Sequence, residues 1–293
     1  MELTSQAVAA PAKKNGMLRE LVFRMAQNKL AVICAIIFAV IAVLVSLASV
    51  IAPGGYDVQN IAEALQKPSW KHIFGTDNYG RDIFVRVLYG GRITLLLSMA
   101  STLVATFFGL LFGCIAGYFG GRTDNIIMRV MDVLMSIPNM IMAIVVATTL
   151  GSGIVTTVLA VAVGFMPGFV RIVRAPILTV RSCEYIESAR AIGAKAPRII
   201  IHHIIPNILA QVIVQVTLGV ANAIIAVACL SFLGLGVQPP TPEWGTMLSQ
   251  ARNYMMRNMY MITCPGIVIV LSVISLNVLG DALRDALDPR LRN

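Results

Sequence analysis

The chain alternates long apolar stretches, free of Asp, Glu, Lys and Arg, with shorter polar segments. The five longest stretches cover residues 30–56, 93–121, 133–170, 199–242 and 258–280. An α-helix needs about 20 residues to cross a hydrocarbon core about 30 Å thick. The third stretch is too long for one crossing, and the turn-forming sequence Leu150-Gly151-Ser152-Gly153 divides it. The pattern therefore predicts six membrane-spanning helices.

We expect these helices at about residues 30–52, 92–119, 126–148, 154–174, 206–232 and 259–280. The composition agrees, because 57% of the 293 residues are hydrophobic and only 13% are charged, whereas soluble domains carry about 25% charged residues. This balance excludes a soluble enzyme. The formal net charge of +9 comes from basic residues between the apolar stretches, so it does not indicate a nucleic-acid partner. The sequence predicts an all-α integral membrane protein surrounded by a lipid bilayer.

The distribution of Lys and Arg predicts the orientation. If both termini are cytoplasmic, the cytoplasmic segments hold 16 Lys and Arg residues and the external segments hold 6. Cytoplasmic segments of membrane proteins carry such an excess. The predicted organisation is a cytoplasmic segment 1–29, a membrane domain 30–280 and a cytoplasmic tail 281–293, with external loops at 53–91 and 237–258 and a cytoplasmic loop at 175–206.

The two external loops are long and rich in turn residues. The first contains Pro68, Trp70 and several glycines, which favours a cap over the helices. The second begins with Gln238-Pro239-Pro240-Thr241-Pro242, which cannot continue a helix. Such a segment can return into the membrane as a re-entrant hairpin when other protein covers its backbone groups.

The cytoplasmic loop predicts a short helix that a partner protein can approach closely. Ser182 is the expected N-cap, Glu184 lies in the first turn, and Gly193 suits the left-handed position after the last turn. Pro197 and Pro206 are expected at the starts of the next two helices. Helical spacing places four residues on one face, namely Tyr185, Ser188, Ala189 and Ile192. The small side chains in this set favour close contact with a partner.

The same loop resembles a known signature. Glu187-Ser188-Ala189 is followed after three residues by Gly193, and after nine more by His203-Ile204-Ile205-Pro206. The pattern is similar to the E-A-A, glycine and Leu-Pro signature of the inner-membrane permease subunits of ABC importers, in particular the dipeptide, oligopeptide and nickel group. Further segments that resemble this group lie at 75–92, 124–138, 231–245 and 276–291. The likeness covers nearly the whole chain and is to the shorter of the two paired permeases.

The resemblance implies a type I ABC importer permease fold with six spanning helices, an external cap loop and a cytoplasmic coupling helix. It also implies a bacterial cytoplasmic membrane, a second homologous permease, two ATPase subunits and an external substrate-binding protein. The implied ATPase contacts are Glu184, Tyr185, Glu187, Ser188, Ala189, Ile192 and Gly193. Because the chain has no G-x-x-x-x-G-K-[ST] loop, ATP and magnesium are expected on the ATPase chains, and no cofactor on this one.

Three other functions are alternatives. An ion-driven secondary transporter would need ionisable side chains deep in several helices, whereas the five stretches contain no acidic residue, Lys or Arg. An intramembrane enzyme would need a motif such as H-E-x-x-H, yet the three histidines are His72, His202 and His203. The side chains of His202 and His203, which are adjacent, would point about 100° apart on a helix. This geometry disfavours a metal ion bound by both. A passive anchor leaves the shaped cytoplasmic loop unexplained.

Polar residues within the spans are candidates to line a transport pathway. The candidates are Ser136, Asn139 and Gln215. They do not select among dipeptides, longer peptides, glutathione and nickel chelates as the substrate.

Two further groups in the spans are interpreted as structural. We expect Arg129 to pair with Asp124 or Asp132 near the cytoplasmic end of the third helix, rather than to act in a proton relay. Overlapping G-x-x-x-G steps in the second helix predict close packing against another helix, interpreted as permease contact rather than as a ligand site. These glycines are Gly109, Gly113 and Gly117.

Overall fold

The computed structural model describes residues 23–287, which form helices connected by loops. Within that range the only β interaction is an isolated antiparallel bridge between Thr76 and Asp82. The helices are α1 (Lys29–Ser46), α2 (Ala48–Ile51), α3 (Ile83–Phe119), α4 (Gly121–Met135), α5 (Asn139–Leu150), α6 (Ile154–Val180), α7 (Glu184–Ala191), α8 (Ala196–Ile199), α9 (Ile205–Phe232), α10 (Trp244–Ala251) and α11 (Tyr260–Leu287). Short 3₁₀ segments cover Ile61–Glu63 and Arg252–Tyr254, and a π-helical turn, Ile200–Ile204, joins α8 to α9.

Five of the helical segments in the described range are long and apolar enough to cross a membrane. They are α1, α3, α6, α11 and the continuous run from α8 through α9. The pair α4 and α5 makes a sixth crossing if the two are counted as one bent span. The predicted all-α membrane architecture is therefore confirmed.

The third predicted span is not one straight helix. It consists of α4 and α5, whose axes differ by 86° across the break at residues 136–138. Pro138 explains the break, because it lacks an amide N–H and disfavours helical geometry at the residue before it. The expectation of continuous helix over 126–148 was wrong at this proline.

Three other spans extend beyond their predicted ends. The helix α3 begins at Ile83, where the Asp82 side chain accepts a hydrogen bond from the Val85 N–H at 3.1 Å. The helix therefore begins nine residues before the predicted start, which shortens the first loop. The helix α6 continues to Val180, and α11 continues to Leu287. Residues 1–22 and 288–293 of the predicted terminal segments lie outside the described residues.

The most extensive helix contact in the described part of the chain joins α3 to α6. A Cβ atom added at Gly109 would lie 2.5 Å from Phe169 Cβ, and one added at Gly113 would lie 2.7 Å from Val173 Cγ1. Gly117 meets Ile177 in the same way, at 2.8 Å. These six residues are called the α3–α6 seam. The predicted close packing of the glycines against another helix is confirmed, and that helix is α6 of the same chain.

The loop between α2 and α3, residues 52–82, forms a cap at one end of the helices. Arg81 Nε donates to Asp77 Oδ2 at 2.7 Å, and both side chains are almost fully buried. Arg86 on α3 is 1% exposed and donates to Gln250 Oε1 on α10 at 3.1 Å. The end of the molecule that carries this loop is called the cap side, and the opposite end, which carries α7 and α8, is called the loop side.

The second long loop, residues 237–258, carries α10 and is covered by protein. Trp244 is fully buried and donates from Nε1 to the Val87 carbonyl at 2.9 Å. The buried Glu243 side chain caps α10 by accepting from the Thr246 N–H at 3.0 Å, and it also accepts from Thr94 Oγ1 at 2.8 Å. Packing against α3, α9 and α11 gives this loop the protein cover that a re-entrant hairpin requires.

Candidate functional site

A cavity of about 500 Å³ lies between α5, α6 and α9. Its volume is within the range of about 300–1,000 Å³ that encloses small-molecule ligands. Residues from α5 and α6 in its wall are Asn139, Met140, Ala143, Val161, Gly164, Phe165, Gly168 and Phe169. Residues from α9 are Gln215, Gly219, Asn222, Ile225, Ala226 and Cys229. The wall contains no charged side chain.

The polar part of this wall consists of three carboxamides. The predicted pathway residues Asn139 and Gln215 face the cavity from α5 and α9. Asn222, which sequence reasoning missed, lies beside them and donates from Nδ2 to the Leu218 carbonyl at 3.1 Å. That bond leaves its Oδ1 atom as an acceptor. The seven-residue spacing from Gln215 was the available signal, since it returns to the same face of a helix.

Ser136 is not part of this wall. It lies at the break between α4 and α5, and its Oγ donates to the Val133 carbonyl at 2.7 Å. Its hydroxyl therefore satisfies a carbonyl at the end of α4 instead of facing the carboxamides. The structure brings Asn139 and Gln215 together and leaves Ser136 apart.

A second cavity of about 430 Å³ adjoins the first and has an apolar wall. The two share Met140, Ile225 and Cys229. The second continues between α9, α10 and α11, where Leu248 and Ile269 line it. Open space therefore extends from the carboxamides toward the cap side.

At the loop side, α7 has the predicted type and a different N-cap. Cys183 occupies the N-cap position, while Ser182 Oγ donates back to the Thr179 carbonyl at 2.9 Å. The prediction of Ser182 as N-cap was wrong, because its hydroxyl bonds the end of α6 instead. Gly193 has φ +83°, so the predicted left-handed residue after the helix is confirmed. The Ala194 N–H bonds the Ala189 carbonyl at 3.0 Å and closes this end of α7.

The predicted contact face of α7 is divided by the fold. Ala189 is only 7% exposed and packs with the fully buried Ile186 against Ile177 of α6 and Ile208 of α9. The prediction that Ala189 shares an outward face with Tyr185 was therefore wrong. Ile186 and Ala189, which are three residues apart, form the inward face of α7 and pack against α6 and α9. The outward residues are Glu184, Tyr185, Glu187, Ser188, Ile192 and Gly193.

Side-chain contacts attach α7 to two different helices. Asn207 Nδ2 in the first turn of α9 donates to Tyr185 Oη at 3.2 Å. On the other side, the guanidinium carbon of Arg190 lies 5.0 Å from the centre of the Tyr118 ring of α3. The helix α7 therefore contacts both α9, which lines the cavity, and α3, which forms part of the seam.

The acids of α4 pair with arginines of α6 and not with Arg129. Arg174 makes a bidentate pair with Asp124, with both N–O distances at 2.5 Å. Arg171 Nη2 donates to Asp132 at 2.7 Å in a more exposed pair. The expected pairing within α4 was wrong, because α6 crosses α4 and presents two arginines to its acidic positions.

Comparisons with known proteins agree with these features. Residues 109–293 match the family described as the binding-protein-dependent transport system inner membrane component. Residues 16–68 match the N-terminal membrane domain of oligopeptide transport permease C. The protein is 41% identical to the dipeptide transport system permease protein DppC of Haemophilus influenzae, over 94% of this chain and 95% of that one.

Two further relatives carry related names. The DppC protein of Alkalihalophilus pseudofirmus is 41% identical over 94% of this chain and 90% of its own length. The glutathione transport system permease protein GsiD of Pectobacterium atrosepticum is 43% identical over 81% of this chain and 80% of its own. Among solved structures, a chain of the inward-facing MetNI methionine ABC transporter aligns with a TM-score of 0.56 and 19% identity, covering 69% of this chain and 97% of that one. This likeness shows a shared fold.

Proposed function

The chain belongs to the family of binding-protein-dependent transport system inner membrane components, and we propose that it forms one half of the pathway through which an ABC importer carries peptides or similar small solutes. It is a membrane permease with the type I importer fold and acts as a transport subunit rather than as an enzyme. The relatives named for dipeptide and glutathione transport support a substrate that contains peptide bonds.

The observation that carries this proposal is the cavity between α5, α6 and α9. It is large enough for a small solute, its polar groups are uncharged, and an apolar cavity continues it toward the cap side. The helix α9, which lines the cavity from Gln215 onward, contacts α7 through Asn207 in its first turn. The proposed ATPase contact on α7 is therefore joined directly to a helix that lines the solute cavity.

The proposed assembly follows from the two ends of the molecule. The loop side, with both termini, lies in the cytoplasm, and the outward residues of α7 contact an ATPase that binds ATP and magnesium. A second homologous permease completes the pathway, and a substrate-binding protein delivers solute to the cap side. The basic excess in the segments assigned to the cytoplasm supports this orientation.

Reconstitution tests the transport function directly. The permease, its paired permease and the ATPases are placed in proteoliposomes with the binding protein outside and ATP inside. We expect uptake of a labelled dipeptide that requires ATP hydrolysis and persists when ion gradients are collapsed. Uptake driven by an ion gradient without the ATPases would instead identify the secondary transporter.

Gly193 tests the coupling role of α7 separately. Gly193→Pro removes the N–H that bonds the Arg190 carbonyl and cannot adopt φ +83°. We expect normal membrane insertion with loss of the ATPase stimulation that the loaded binding protein produces. Gly151→Pro is the matched control, because Gly151 has φ +86° in the turn between α5 and α6, on the cap side. Full stimulation in Gly193→Pro would contradict the coupling role.

A further inference from the structure

One face of α9 carries four carboxamides and one thiol along its length, with the apolar side chains of Leu218 and Ile225 on the same face between them. The carboxamides and the thiol form a row that consists of Asn207, Gln211, Gln215, Asn222 and Cys229. At about 100° per residue these five positions lie within about 80° of one another around the helix axis. From the first to the last position the row is about 33 Å long, which is close to the thickness of the hydrocarbon core. We call this row the α9 stripe.

The stripe borders open space along most of its length. Gln215, Asn222 and Cys229 line the cavity, where Asn139 of α5 faces them. Gln211 is exposed one turn below Gln215, toward the loop side. A carboxamide against lipid tails leaves hydrogen-bonding groups unsatisfied at a cost of several kcal/mol. The stripe is therefore suited to an aqueous path and not to a lipid-facing surface.

The chemistry of the stripe matches that of a peptide bond. A carboxamide offers an N–H donor and a C=O acceptor, as a peptide group does. The residues that line the cavity also include no charged side chain. This matters because an unscreened charge at this depth would strongly attract or repel a charged solute. Such a wall can bond the backbone of a peptide while making no distinction between acidic and basic side chains.

We propose that the α9 stripe binds the backbone of the translocated peptide, so that this subunit selects for peptide bonds and accepts side chains of either charge. The inference rests on the proposed function and deepens it, because it assigns the recognition to Gln215 and Asn222 with Asn139 opposite. The stripe begins at Asn207, whose bond to Tyr185 places the α7 contact at one end of the same row.

The first test removes the amides and keeps the side-chain volume. In proteoliposomes that contain the complete importer, uptake of Ala-Ala, Ala-Lys and Ala-Glu is measured for the double variant Gln215→Met, Asn222→Leu. We expect uptake of all three to fall by a similar factor of about tenfold, because two neutral hydrogen bonds are lost. Thr217→Val is the matched control, because Thr217 lies about 200° around α9 from Gln215 and its hydroxyl bonds the Ile213 carbonyl.

The amount of assembled complex is measured in the same preparations and should equal that of Thr217→Val. A double variant that assembles and imports all three peptides within twofold of that control would overturn the inference. Loss of uptake for only one of the three would also overturn it, because recognition would then depend on the side chain.

The second test adds a charge to the stripe. Gln215→Glu should raise the ratio of Ala-Lys to Ala-Glu uptake by at least about fivefold over the wild type, because a carboxylate in the wall attracts one side chain and repels the other. An unchanged ratio would show that Gln215 does not face the solute and would refute the proposal. If the wild-type importer takes up none of the three peptides, the proposed function itself fails, which is a distinct result.

Discussion

The two sides of α6 differ in how the chain uses glycine. On one side, glycines of α3 allow Phe169, Val173 and Ile177 to approach until no additional atom fits. On the other side, Gly168 belongs to α6 itself and leaves space in the cavity wall, because a Cβ atom added there would meet nothing within 4 Å. The residue type is the same in both places, and what lies opposite decides its role. Glycine opposite a bulky residue closes a contact, whereas glycine opposite a gap keeps it open.

This contrast separates a supporting region from a working region. Helices in a membrane associate largely through close packing, so the seam holds α3 and α6 as one unit. The packed pair α3 and α6 supports the cavity wall, and the wall presents polar groups to a cavity that side chains do not fill. A bulky side chain should therefore damage stability when placed in the seam and transport when placed in the cavity.

The largest effect is expected at the seam. Gly113→Leu places its Cβ 2.7 Å from Val173 Cγ1 and 3.0 Å from the Val170 carbonyl oxygen, so the two helices must separate. We expect a loss of about 3 kcal/mol in stability, the upper end of the usual cost of overpacking. The measurement is the yield and the Tm of the purified complex in detergent. An unchanged Tm would show that α3 and α6 are not held together by this contact.

The same substitution in the cavity should have the opposite profile. A Cβ atom at Gly168 meets nothing within 4 Å, so Gly168→Leu can extend into the open space. We expect the free energy of unfolding to change by no more than about 0.5 kcal/mol, as for ordinary surface substitutions, and the Tm to change little. We expect most ATP-dependent uptake to be lost. Gly168→Ala is the control and should retain uptake, since one methyl group occupies little of the cavity. Normal uptake by Gly168→Leu would place the transport pathway elsewhere.

Much of this arrangement could be predicted from the sequence. The apolar stretches identified the spans, the G-x-x-x-G steps predicted a close helix contact, and Gly193 predicted the end of α7. Each of these signals is local, because it depends on residues within a few turns of one another. The assignment of Asn139 and Gln215 to the transport pathway stays a prediction. Both residues line the cavity, which agrees with the rule that polar side chains in a span require a polar environment.

The sequence did not determine which helix faces and which charged side chains contact each other in the folded chain. Helical periodicity placed Ala189 with Tyr185 on one face, but it could not tell which face meets the rest of the chain. Asp124 bonds Arg174, which is 50 residues away in the chain, and no local pattern connects the two. Pro138 was visible in the sequence, but the pattern of apolar residues did not give the 86° angle between α4 and α5.

A third face of α6 carries Arg171 and Arg174. Substitutions there should reduce stability by smaller amounts that depend on how buried each arginine is. The two arginines bond α4, but the Asp124–Arg174 pair has side-chain exposures of 12% and 26%, whereas both side chains of the Asp132–Arg171 pair are 50% exposed. Arg174→Ala should therefore cost about 2 kcal/mol through the partly buried carboxylate that it leaves unpaired. Arg171→Ala is the matched control and should cost less than about 1 kcal/mol.

Double-mutant cycles on the Tm of the purified complex separate the two pairs. Asp124→Ala combined with Arg174→Ala should show clear coupling, and the Asp132 and Arg171 cycle should show almost none. Equal coupling in the two cycles would mean that exposure does not determine how strongly α4 is held to the seam.

The smallest expected effect concerns how α7 communicates with the two sides of α6. Tyr185→Phe removes the hydroxyl that accepts from Asn207 at 3.2 Å and leaves the aromatic ring in place. A single neutral hydrogen bond contributes about 1 kcal/mol. We therefore expect an unchanged Tm and a fall of about two- to threefold in the ATPase stimulation that the loaded binding protein produces.

Arg190→Gln removes the contact with Tyr118 and is the comparison on the seam side. If the motion of α7 reaches the cavity through α9, Tyr185→Phe should lower stimulation more than Arg190→Gln does. The reverse order would assign transmission to the seam, and the supporting region would then also be the moving one.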